Sequence, residues 1–527
     1  MSVFFENEFK NESENEIKNE SENRCIMLPG KLKMKGCFIV LTGSKLKKYV
    51  EKHLKGRDEE RDFVKRVVKY CRSSENMKVY CIPGLPSTGK TTGLLQAIRK
   101  LGAYDKSMYL SVSEEIEIEF ADLVWLLNSY MDNMKYIFLD GVSSTEGFVG
   151  QSSCLPMGYL WRGKRIVVSG ADSYAMYRAL LEGLRYHYRV DDISFLAYRE
   201  ARRTTGMEFD SYLTSGGLYE SKKYQTADGL QNYIEDSVVK NILSTVQKNL
   251  YQFEFEGVSD TELRVAAYLI LYIIAYSWKE KLNFYKVLED LKERDDSVHK
   301  KKIAGILEKE LGITFEKVEW NVISEVLWEM EGMKMIIECP NLAENKWLTW
   351  TEVKYVITSP FLANGIYQSM VRAMEEAGEM PEGKTEDKKE DEIKEFVLES
   401  MVISHAAFLS GKKCYFYREG KAEIALILLD QEITNLDLCD QKTLDEEGTG
   451  LHIDEKHAFL VEVSGSDCAN TAYEQGHWVR EVTEDSLIGT VKIEERIILY
   501  RGRANKKKGL VNVVSFLNRY LRQRRCL

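Results

Sequence analysis

The stretch GLPSTGKTT, from Gly84 to Thr92, constrains this chain more than any other feature of its sequence. It follows the apolar run VYCIP and precedes TTGLLQAIRKL, so it lies between a predicted strand and a predicted helix. Gly84 and Gly89 allow a tight main-chain curl, because glycine tolerates positive φ. A strand, a glycine-containing loop that ends in Gly-Lys-Thr and a helix together predict a loop that binds the phosphates of a nucleoside triphosphate.

The expected phosphate contacts are divided among the residues of this loop. Lys90 would reach the β- and γ-phosphate oxygens, the Thr91 hydroxyl would bind Mg²⁺, and the following helix points its positive end at the anion. Pro86 has no N–H to donate and occupies a spacer position. With ATP and Mg²⁺ as the expected ligands, the predicted binding residues are Gly84, Leu85, Pro86, Ser87, Thr88, Gly89, Lys90, Thr91 and Thr92.

Two later strands end in polar residues that would complete such a site. YIFLDG ends its apolar run at Asp140, which is predicted to hold Mg²⁺ through water, although an aspartate before Gly141 is also typical of a turn. RIVVSG ends at Ser169, where a hydroxyl could sense the γ-phosphate or simply begin a turn.

Hydrolysis needs a group that orients or deprotonates the attacking water, and the sequence offers no clear one. The position after Asp140, where many ATPases have a glutamate, is Gly141. The nearest acid downstream is Glu146, and nothing in the pattern places it correctly. Arg185 and Arg189 are candidate catalytic residues that could reach a γ-phosphate in cis or from a neighbouring subunit, or could be ordinary surface charges.

Short apolar runs alternate with helical stretches between residues 79 and 229. This alternation is typical of an α/β fold with a parallel sheet covered by helices on both faces. Residues 27–78 are predicted to form two short amphipathic helices, split near Gly56. The predicted strands are Val79–Pro83, Met108–Val112, Tyr136–Asp140, Arg165–Ser169 and Ile193–Phe195.

The chain of 527 residues is too long for a single core. The polar repeat in residues 1–26 is predicted to be disordered, and the charged run at 376–394 predicts an exposed linker. Residues 230–375 are helical by period and include a strand-like pair, which suggests a helical lid and a winged helix. A helix and several strands in residues 395–527 predict a second α/β domain.

Cysteine usage, the N-terminus and the longest apolar run bear on location. The ten cysteines include no CxxC pair, and the N-terminus is acidic and polar, so we expect a cytoplasmic protein without a signal peptide. The run AAYLILYIIAYSW is short of the roughly 20 residues that a membrane span needs. It therefore predicts a buried helix.

Five further segments resemble, in order and spacing, motifs of a prokaryotic AAA-like ATPase family: YIFLDGVSS, RIVVSGADS, ISFLAYREA, FDSYLTSGG and VKYVITSPFL. The resemblance spans about residues 79–520. It implies an ATP-binding core of the additional-strand type with Ser169 near sensor 1, a winged helix, and a C-terminal domain similar to PD-(D/E)XK nucleases. The family usually has Asp-Glu where this chain has Asp140 and Gly141, which puts hydrolysis in doubt.

The resemblance also implies a degenerate nuclease site. Such a site needs an Asp on one strand and Glu-x-Lys on the next, because the carboxylates bind Mg²⁺ and the lysine positions the water or stabilises developing charge. Glu462 is retained, but Ala425 stands at the Asp position and Ser464 at the Lys position. Glu423 would share a strand face with Ala425 and could substitute as a ligand. The matched positions, which add a helical acid and a helical glutamine, are Glu399, Glu423, Ala425, Glu462, Ser464 and Gln475.

Three functions are compatible with this pattern. The first is a nucleotide-dependent switch with weak or no hydrolysis, which acts on a protein or nucleic-acid partner. The second is an active, oligomeric ATPase. The third is a nucleic-acid-binding effector that uses HKKK (His299 to Lys302) and the basic C-terminus, although a net charge of −10 argues against a dedicated nucleic-acid coat protein and HKKK is also typical of a solvated helix face.

Overall fold

A computed structural model describes most of the chain, and its contacts divide the chain into two compact units. The first unit is Met1–Ser194 with Lys240–Glu256, and the second is Phe195–Val239 with Gly257–Leu527. The predicted disordered tail (1–26) and the last ten residues of the basic C-terminus lie outside the described residues. The described residues are 39–73, 77–112, 118–130, 133–171, 173–220, 224, 226, 228–240, 258–293, 297–312, 319–343, 352–378, 386–431, 456–487, 491–505 and 509–517.

The first unit is built on a six-stranded sheet. Its elements are β1 (Ile39–Thr42), α1 (Gly43–His53), α2 (Val64–Arg72), β2 (Val79–Pro83), α3 (Lys90–Leu101), β3 (Ser107–Ser111), α4 (Phe120–Tyr130), β4 (Tyr136–Asp140), α5 (Phe148–Gln151), α6 (Cys154–Gly158), β5 (Arg165–Gly170), α7 (Ser173–Glu182) and β6 (Tyr188–Val190). The strand order is β1-β3-β4-β5-β2-β6. Only β1 is antiparallel to its neighbour, and the remaining pairs are parallel.

Both faces of this sheet are buried. Along β2, Val79 and Cys81 enter one apolar cluster, whereas Tyr80 and Ile82 enter the other, as the alternation of a strand requires. Residues of α1, α2 and α3 cover the Tyr80 face, and residues of α4 to α7 contribute to the opposite cluster. The predicted parallel sheet with helices on both faces is therefore confirmed.

The strand predictions for this unit are confirmed at four places and wrong at one. β2, β3, β4 and β5 lie within one residue of their predicted bounds. Ile193–Phe195 is not a strand, and the sixth strand lies earlier, where Tyr188 pairs with Val79. Ile193 and Phe195 are both buried. A short apolar run indicates burial, but a buried segment does not have to pair as a strand.

The second unit combines helices, a hairpin and a second sheet. Its elements are α8 (Tyr198–Thr205), α9 (Phe209–Ser215), α10 (Gly229–Ile234), α11 (Asp260–Lys279), α12 (Phe284–Glu293), α13 (Val298–Leu311), α14 (Trp320–Gly332), β7 (Ile336–Pro340), β8 (Val353–Ile357), α15 (Pro360–Glu376), α16 (Glu386–Ser410), β9 (Cys414–Glu419), β10 (Ala422–Leu429), β11 (Lys456–Val463), α17 (Ala469–Gln475), α18 (Trp478–Glu481), β12 (Val491–Tyr500), β13 (Leu510–Asn512) and α19 (Val513–Ser515). Residues 195–229 belong here and not with the first unit, since α9 packs on α15 and α16.

The long apolar run forms the buried helix α11, as predicted. Its N-terminus is closed by a capping box in which Ser259 accepts from the Glu262 main chain and Glu262 accepts from Ser259. Every residue from Val265 to Trp278 is buried. Within the described residues, no helix combines the length and the apolar character needed to cross a bilayer.

The second half of this unit follows the predicted order of elements. The helices α12, α13 and α14 precede the β7–β8 hairpin, which is the order expected of a winged helix, and that assignment stays a prediction. In the five-stranded sheet, β9, β10 and β11 are successively antiparallel, while β12 pairs in parallel with β11 and β13 with β12. The helix α16 begins at Glu386, so the last nine residues of the predicted linker (376–394) are helical.

His405 on α16 is fully buried, and both of its ring nitrogens are in contact with the main chain. Nδ1 lies 2.7 Å from the Met401 carbonyl, and Nε2 accepts the Tyr198 N–H at 2.9 Å. The second contact requires an unprotonated Nε2. Burial lowers the pKa of His405 to about 4, against a small opposing effect of the Met401 carbonyl.

We therefore expect the second unit to lose stability on mild acidification. The folded pKa lies below the unfolded value of about 6.5, so the stabilisation is complete above about pH 7 and is lost as the pH falls towards 4. A shift of this size corresponds to about 3 kcal/mol at most. Urea unfolding between pH 7.5 and 4.5 would measure it, with His405→Gln, which cannot titrate, as the comparison. Equal pH slopes for the two proteins would contradict the prediction.

Candidate functional site

The predicted loop connects β2 to α3 and has the backbone of an anion-binding turn. Gly89, immediately before α3, has φ 85°, which is a conformation that favours glycine. Ser87 also lies in the left-handed region, at φ 57°. Since non-glycine residues in this region are uncommon and cluster at ligand-binding sites, the strained backbone at Ser87 supports a binding role for the loop.

Lys90 is the first residue of α3, and its side chain is 8% exposed. Its ammonium donates hydrogen bonds to the carbonyls of Gly84 (2.6 Å) and Leu85 (2.7 Å). Thr88 closes the same loop, because its hydroxyl donates to the Leu85 carbonyl at 2.8 Å. The ammonium is thus held inside the loop by acceptors that phosphate oxygens can replace.

The start of α3 offers its main-chain N–H groups to an anion. The first turn contains no acidic residue, and Gly89 has no side chain that could cap it. Thr91 is exposed there, so its hydroxyl is accessible. Together with Lys90, this helix end gives the loop a group of hydrogen-bond donors, and its role as a phosphate site stays a prediction.

Two arginines that the sequence reasoning missed also contact this region. Arg61 is 1% exposed and its guanidinium donates to the main-chain carbonyl of Thr88, within the loop. Arg57 donates to the Thr92 hydroxyl at 3.2 Å. The segment that carries these arginines is hydrogen-bonded to α3, because the Gln96 side chain accepts the Arg61 N–H at 2.9 Å. Their only signal in the sequence is the charged run GRDEER between the two N-terminal helices.

Asp140 and Ser169 come together at the carboxyl edge of the sheet, as predicted. They are register partners at the ends of β4 and β5, and the Ser169 hydroxyl donates to Asp140 Oδ1. The Tyr109 hydroxyl donates to Asp140 Oδ2 at 2.8 Å. Burial raises the pKa of Tyr109 well above its usual value, and Asp140 raises it further, so this hydroxyl keeps its proton and donates. Sequence reasoning missed Tyr109, which occupies an ordinary position in an apolar strand.

The strand order places this pair near the loop. β5 lies between β4 and β2, so two strand spacings of about 4.8 Å separate the Asp140 strand from the loop strand. An extra strand between these two is the additional-strand arrangement that the resemblance implied. Asp140 is therefore about 10 Å from the strand that leads into the loop, a gap that a metal ion and phosphate oxygens can bridge.

The donor set suits Mg²⁺ bound with phosphate. Mg²⁺ is usually held by one or two carboxylates together with substrate phosphate oxygens and water. Asp140 and the Thr91 hydroxyl supply oxygen donors of that kind. In the part of the chain that the structure describes, no group of three or more His, Cys, Asp and Glu side chains is arranged to hold a metal ion.

Gly141 has a structural reason to lack a side chain. Its φ is 77°, and a Cβ built on it would lie 2.4 Å from the Val112 carbonyl oxygen of the neighbouring segment. A glutamate at this position would therefore require the backbone to move. Glu146, the nearest acid downstream, has an exposed side chain, and its main chain pairs with that of Glu119.

Arg185 and Arg189 lie away from the loop within the chain. Arg189 is the register partner of Tyr80, three residues before the end of β2, and so about 10 Å from the carboxyl edge. Its guanidinium lies over the Tyr80 ring. Arg185 is earlier still, exposed, and donates to the Glu182 carbonyl at 3.3 Å. A contact with a γ-phosphate in cis is not supported, and a role in a neighbouring subunit stays a prediction.

The predicted degenerate nuclease positions are all buried or half-buried on or beside the second sheet, except Gln475, which is exposed apart from one contact. Glu462 Oε2 accepts the main-chain N–H of Ala425 at 3.3 Å. Burial raises the pKa of Glu462 well above its usual value, and Glu399 and Glu423 raise it further, which favours the neutral acid. Ser464, at the lysine position, donates to the side-chain oxygen of Gln475.

The run HKKK forms part of the first turns of α13. His299 Nδ1 lies 2.8 Å from the Tyr276 hydroxyl, which directs the imidazole towards α11. The main-chain N–H of Lys300 is capped by the Ser297 hydroxyl. The HKKK part of the predicted basic surface therefore belongs to a capped helix start. Most of the other part, the basic C-terminal segment, lies outside the described residues.

Comparison with solved structures gives neighbours of low sequence identity, among them the following three. No family profile matches the chain, and no curated protein matches it. The ORC2 protein of Aeropyrum pernix, solved in ADPNP–ADP complexes, is 11% identical with a TM-score of 0.31, and the match covers 62% of this chain and 96% of that one. The Hsp104–ADP complex of S. cerevisiae is 11% identical with a TM-score of 0.26, covering 69% and 61%. Cdc6p of Pyrobaculum aerophilum is 13% identical with a TM-score of 0.21, covering 64% and 96%. TM-scores this low assign no function to this chain.

Proposed function

We propose that this protein is an AAA-like ATP- and Mg²⁺-binding protein that acts as a nucleotide-dependent switch with weak or no hydrolysis. The observation that carries the proposal is the Lys90 ammonium, held inside a preformed loop by the Gly84 and Leu85 carbonyls. A triphosphate would take over this ammonium and add the N–H groups at the start of α3.

Mg²⁺ would be held by Thr91 and Asp140 together with phosphate oxygens. When bound, it would neutralise part of the phosphate charge. Ser169 and Tyr109 orient Asp140 by donating to its two oxygens, so the carboxylate is pre-positioned. Ser169 would be the first residue to respond to a γ-phosphate, because it touches the metal carboxylate directly.

Gly141, which follows Asp140, favours a nucleotide-dependent switch over an active ATPase. Gly141 removes the group that would orient water, and its backbone resists replacement by glutamate. Arg185 and Arg189 lie about 10 Å or more from the loop edge, so no arginine among those predicted completes the site within the chain. These features favour retention of bound ATP.

We also propose that residues 395–527 keep a nuclease-like fold without cleavage. The order α16, β9, β10, β11, α17, β12 supports the fold. Loss of the acid at Ala425 and of the lysine at Ser464 supports inactivity, as does Glu462, whose pKa is raised by burial and further by Glu399 and Glu423. The partner of the switch, a protein or a nucleic acid, and an oligomeric, cytoplasmic form remain predictions from the sequence.

The proposal predicts that ATP with Mg²⁺ stabilises the wild-type protein. At a ligand concentration 100 times Kd, binding adds about 2.7 kcal/mol to the free energy of unfolding, which raises Tm by several degrees. Differential scanning fluorimetry with ATP, ADP and AMP measures the shift, and a phosphate-release assay on the same sample measures turnover. Phosphate release no faster than in buffer is expected. An unchanged Tm at millimolar ATP would refute nucleotide binding, and rapid release would refute the switch.

A further inference from the structure

Three carboxylates of the second unit lie close together beneath its sheet. Glu399 comes from α16, Glu423 from β10 and Glu462 from β11. We call these three residues the acidic cluster. Glu399 is buried, and Glu423 and Glu462 are half-buried. Carboxylates in such a position need compensation, since removal of a charge from water is unfavourable unless the charge is paired.

The compensating cation comes from outside the C-terminal sheet. Lys354 of β8 is buried, and its ammonium forms an ion pair with Glu399 Oε1 and lies 3.5 Å from Glu423 Oε1. Although burial alone would lower the pKa of Lys354, Glu399 and Glu423 raise it above its usual value, so the side chain is charged. The other oxygen of Glu399 accepts the Trp278 indole N–H at 3.0 Å.

Two further cations complete the charge balance around Glu423. Arg418 donates to Glu423 Oε1 at 2.9 Å, and Lys281 lies 3.2 Å from Oε2. Burial alone would raise the pKa of Glu423, but Lys354, Lys281 and Arg418 together lower it, so it is ionised. Glu399 and Glu423 are thus already matched by ammonium and guanidinium groups, and a divalent cation would have to displace them.

The strand that carries Lys354 belongs to a hairpin that is docked on the same sheet. Beyond β7, the Leu342 N–H donates to the Phe416 carbonyl of β9 at 2.8 Å. The Asn341 side chain accepts the Arg418 N–H at 3.0 Å and donates to the Arg418 carbonyl at 2.8 Å. The β7–β8 hairpin therefore adds main-chain and side-chain hydrogen bonds to the edge strand β9, while Lys354 enters the acidic cluster.

We infer that the acidic cluster is an internal ionic lock, in which the Lys354 ammonium pairs with Glu399 and Glu423 and holds the β7–β8 hairpin against the C-terminal sheet. The lock closes the cluster to divalent cations and to nucleic-acid phosphate. It also engages the hairpin that a winged helix would present to DNA. The inference rests on these contacts alone, so it is independent of nucleotide binding in the first unit.

The test is a charge-specific mutant cycle followed by thermal unfolding of the full chain without nucleotide. Lys354→Met leaves the buried Glu399 carboxyl without its cation, and we expect Tm to fall by about 5–10 °C. In the double variant K354M/E399Q the unpaired charge is gone, and we expect more than half of the loss to be recovered. Should K354M not fold, folding of the double variant decides the same question.

Lys281→Met is the matched control, since it removes the same charge from the same Glu423 at a position whose side chain is 54% exposed. Its Tm should match that of the wild type, because exposed ion pairs contribute little. A K354M protein as stable as the wild type, or a double variant no better than K354M, would overturn the lock. Stoichiometric Mn²⁺ binding to the wild type that disappears in E423Q would overturn it as well.

Discussion

Replacement of Lys90 by alanine is expected to weaken ATP binding about 100-fold or more. The ammonium is the only charged side chain of the predicted loop, and hydrogen bonds to charged groups contribute about 1.5–3 kcal/mol each. Loss of two such bonds to phosphate oxygens corresponds to at least a 100-fold rise in Kd, at about 1.4 kcal/mol for each factor of ten. Isothermal titration with ATP and Mg²⁺ measures the change.

Lys100→Ala is the matched control for this experiment. Lys100 lies in the same helix, ten residues further on and so about 15 Å away, where it pairs with Glu60. The variant loses the same charge and should bind ATP as the wild type does. If K90A and K100A bound ATP equally well, the loop between β2 and α3 would not be the phosphate site.

Replacement of Gly141 by glutamate is expected to destabilise the first unit without creating an efficient ATPase. A side chain at φ 77° costs about 1–3 kcal/mol, and the new Cβ would lie 2.4 Å from the Val112 carbonyl oxygen. We expect a total loss of about 3 kcal/mol or more in the free energy of unfolding, because β3 and the segment after it would have to shift. Urea unfolding and a phosphate-release assay on the same variant test both parts.

Two alanine variants separate the causes of this effect. Gly141→Ala carries the same Cβ without the carboxylate, so it should lose nearly as much stability as G141E. Gly102→Ala has a similar φ of 67° but no atom within 4 Å of the added Cβ, so it should lose only about 1 kcal/mol. A G141E protein that is as stable as the wild type and hydrolyses ATP would show that the glycine is incidental.

The loop between β2 and α3 could be predicted from the sequence because its determinants are consecutive. Gly84 to Thr92 lie between an apolar run and a helical period, and each contact within the loop joins residues at most six apart. Asp140 and Ser169 could be predicted for a related reason. Parallel strands of similar length end at one edge of a sheet, so the last polar residue of each strand lies at that edge.

The predicted bounds of elements and domains were less accurate where an apolar run could indicate either burial or strand pairing. The apolar residues Ile193 and Phe195 are buried but not in a strand, and β6 lies earlier with the half-exposed Tyr188. The charged run after α15 predicts a linker, but the helix α16 begins inside this run at Glu386. A run of charged residues indicates that a segment is exposed to solvent, and an exposed segment can still be helical.

The sequence by itself determined the parallel α/β core, the loop, the strand-end acid and the missing glutamate, because each depends on neighbouring residues or on a simple period. Only the tertiary structure decided that Arg57 and Arg61 contact the loop, that Tyr109 holds Asp140, and that Gly141 faces the Val112 carbonyl. Only the tertiary structure also showed that Lys354 contacts Glu399, which lies 45 residues further along the chain. Such contacts depend on strand order and packing between distant segments, and no local pattern of residue types carries that information.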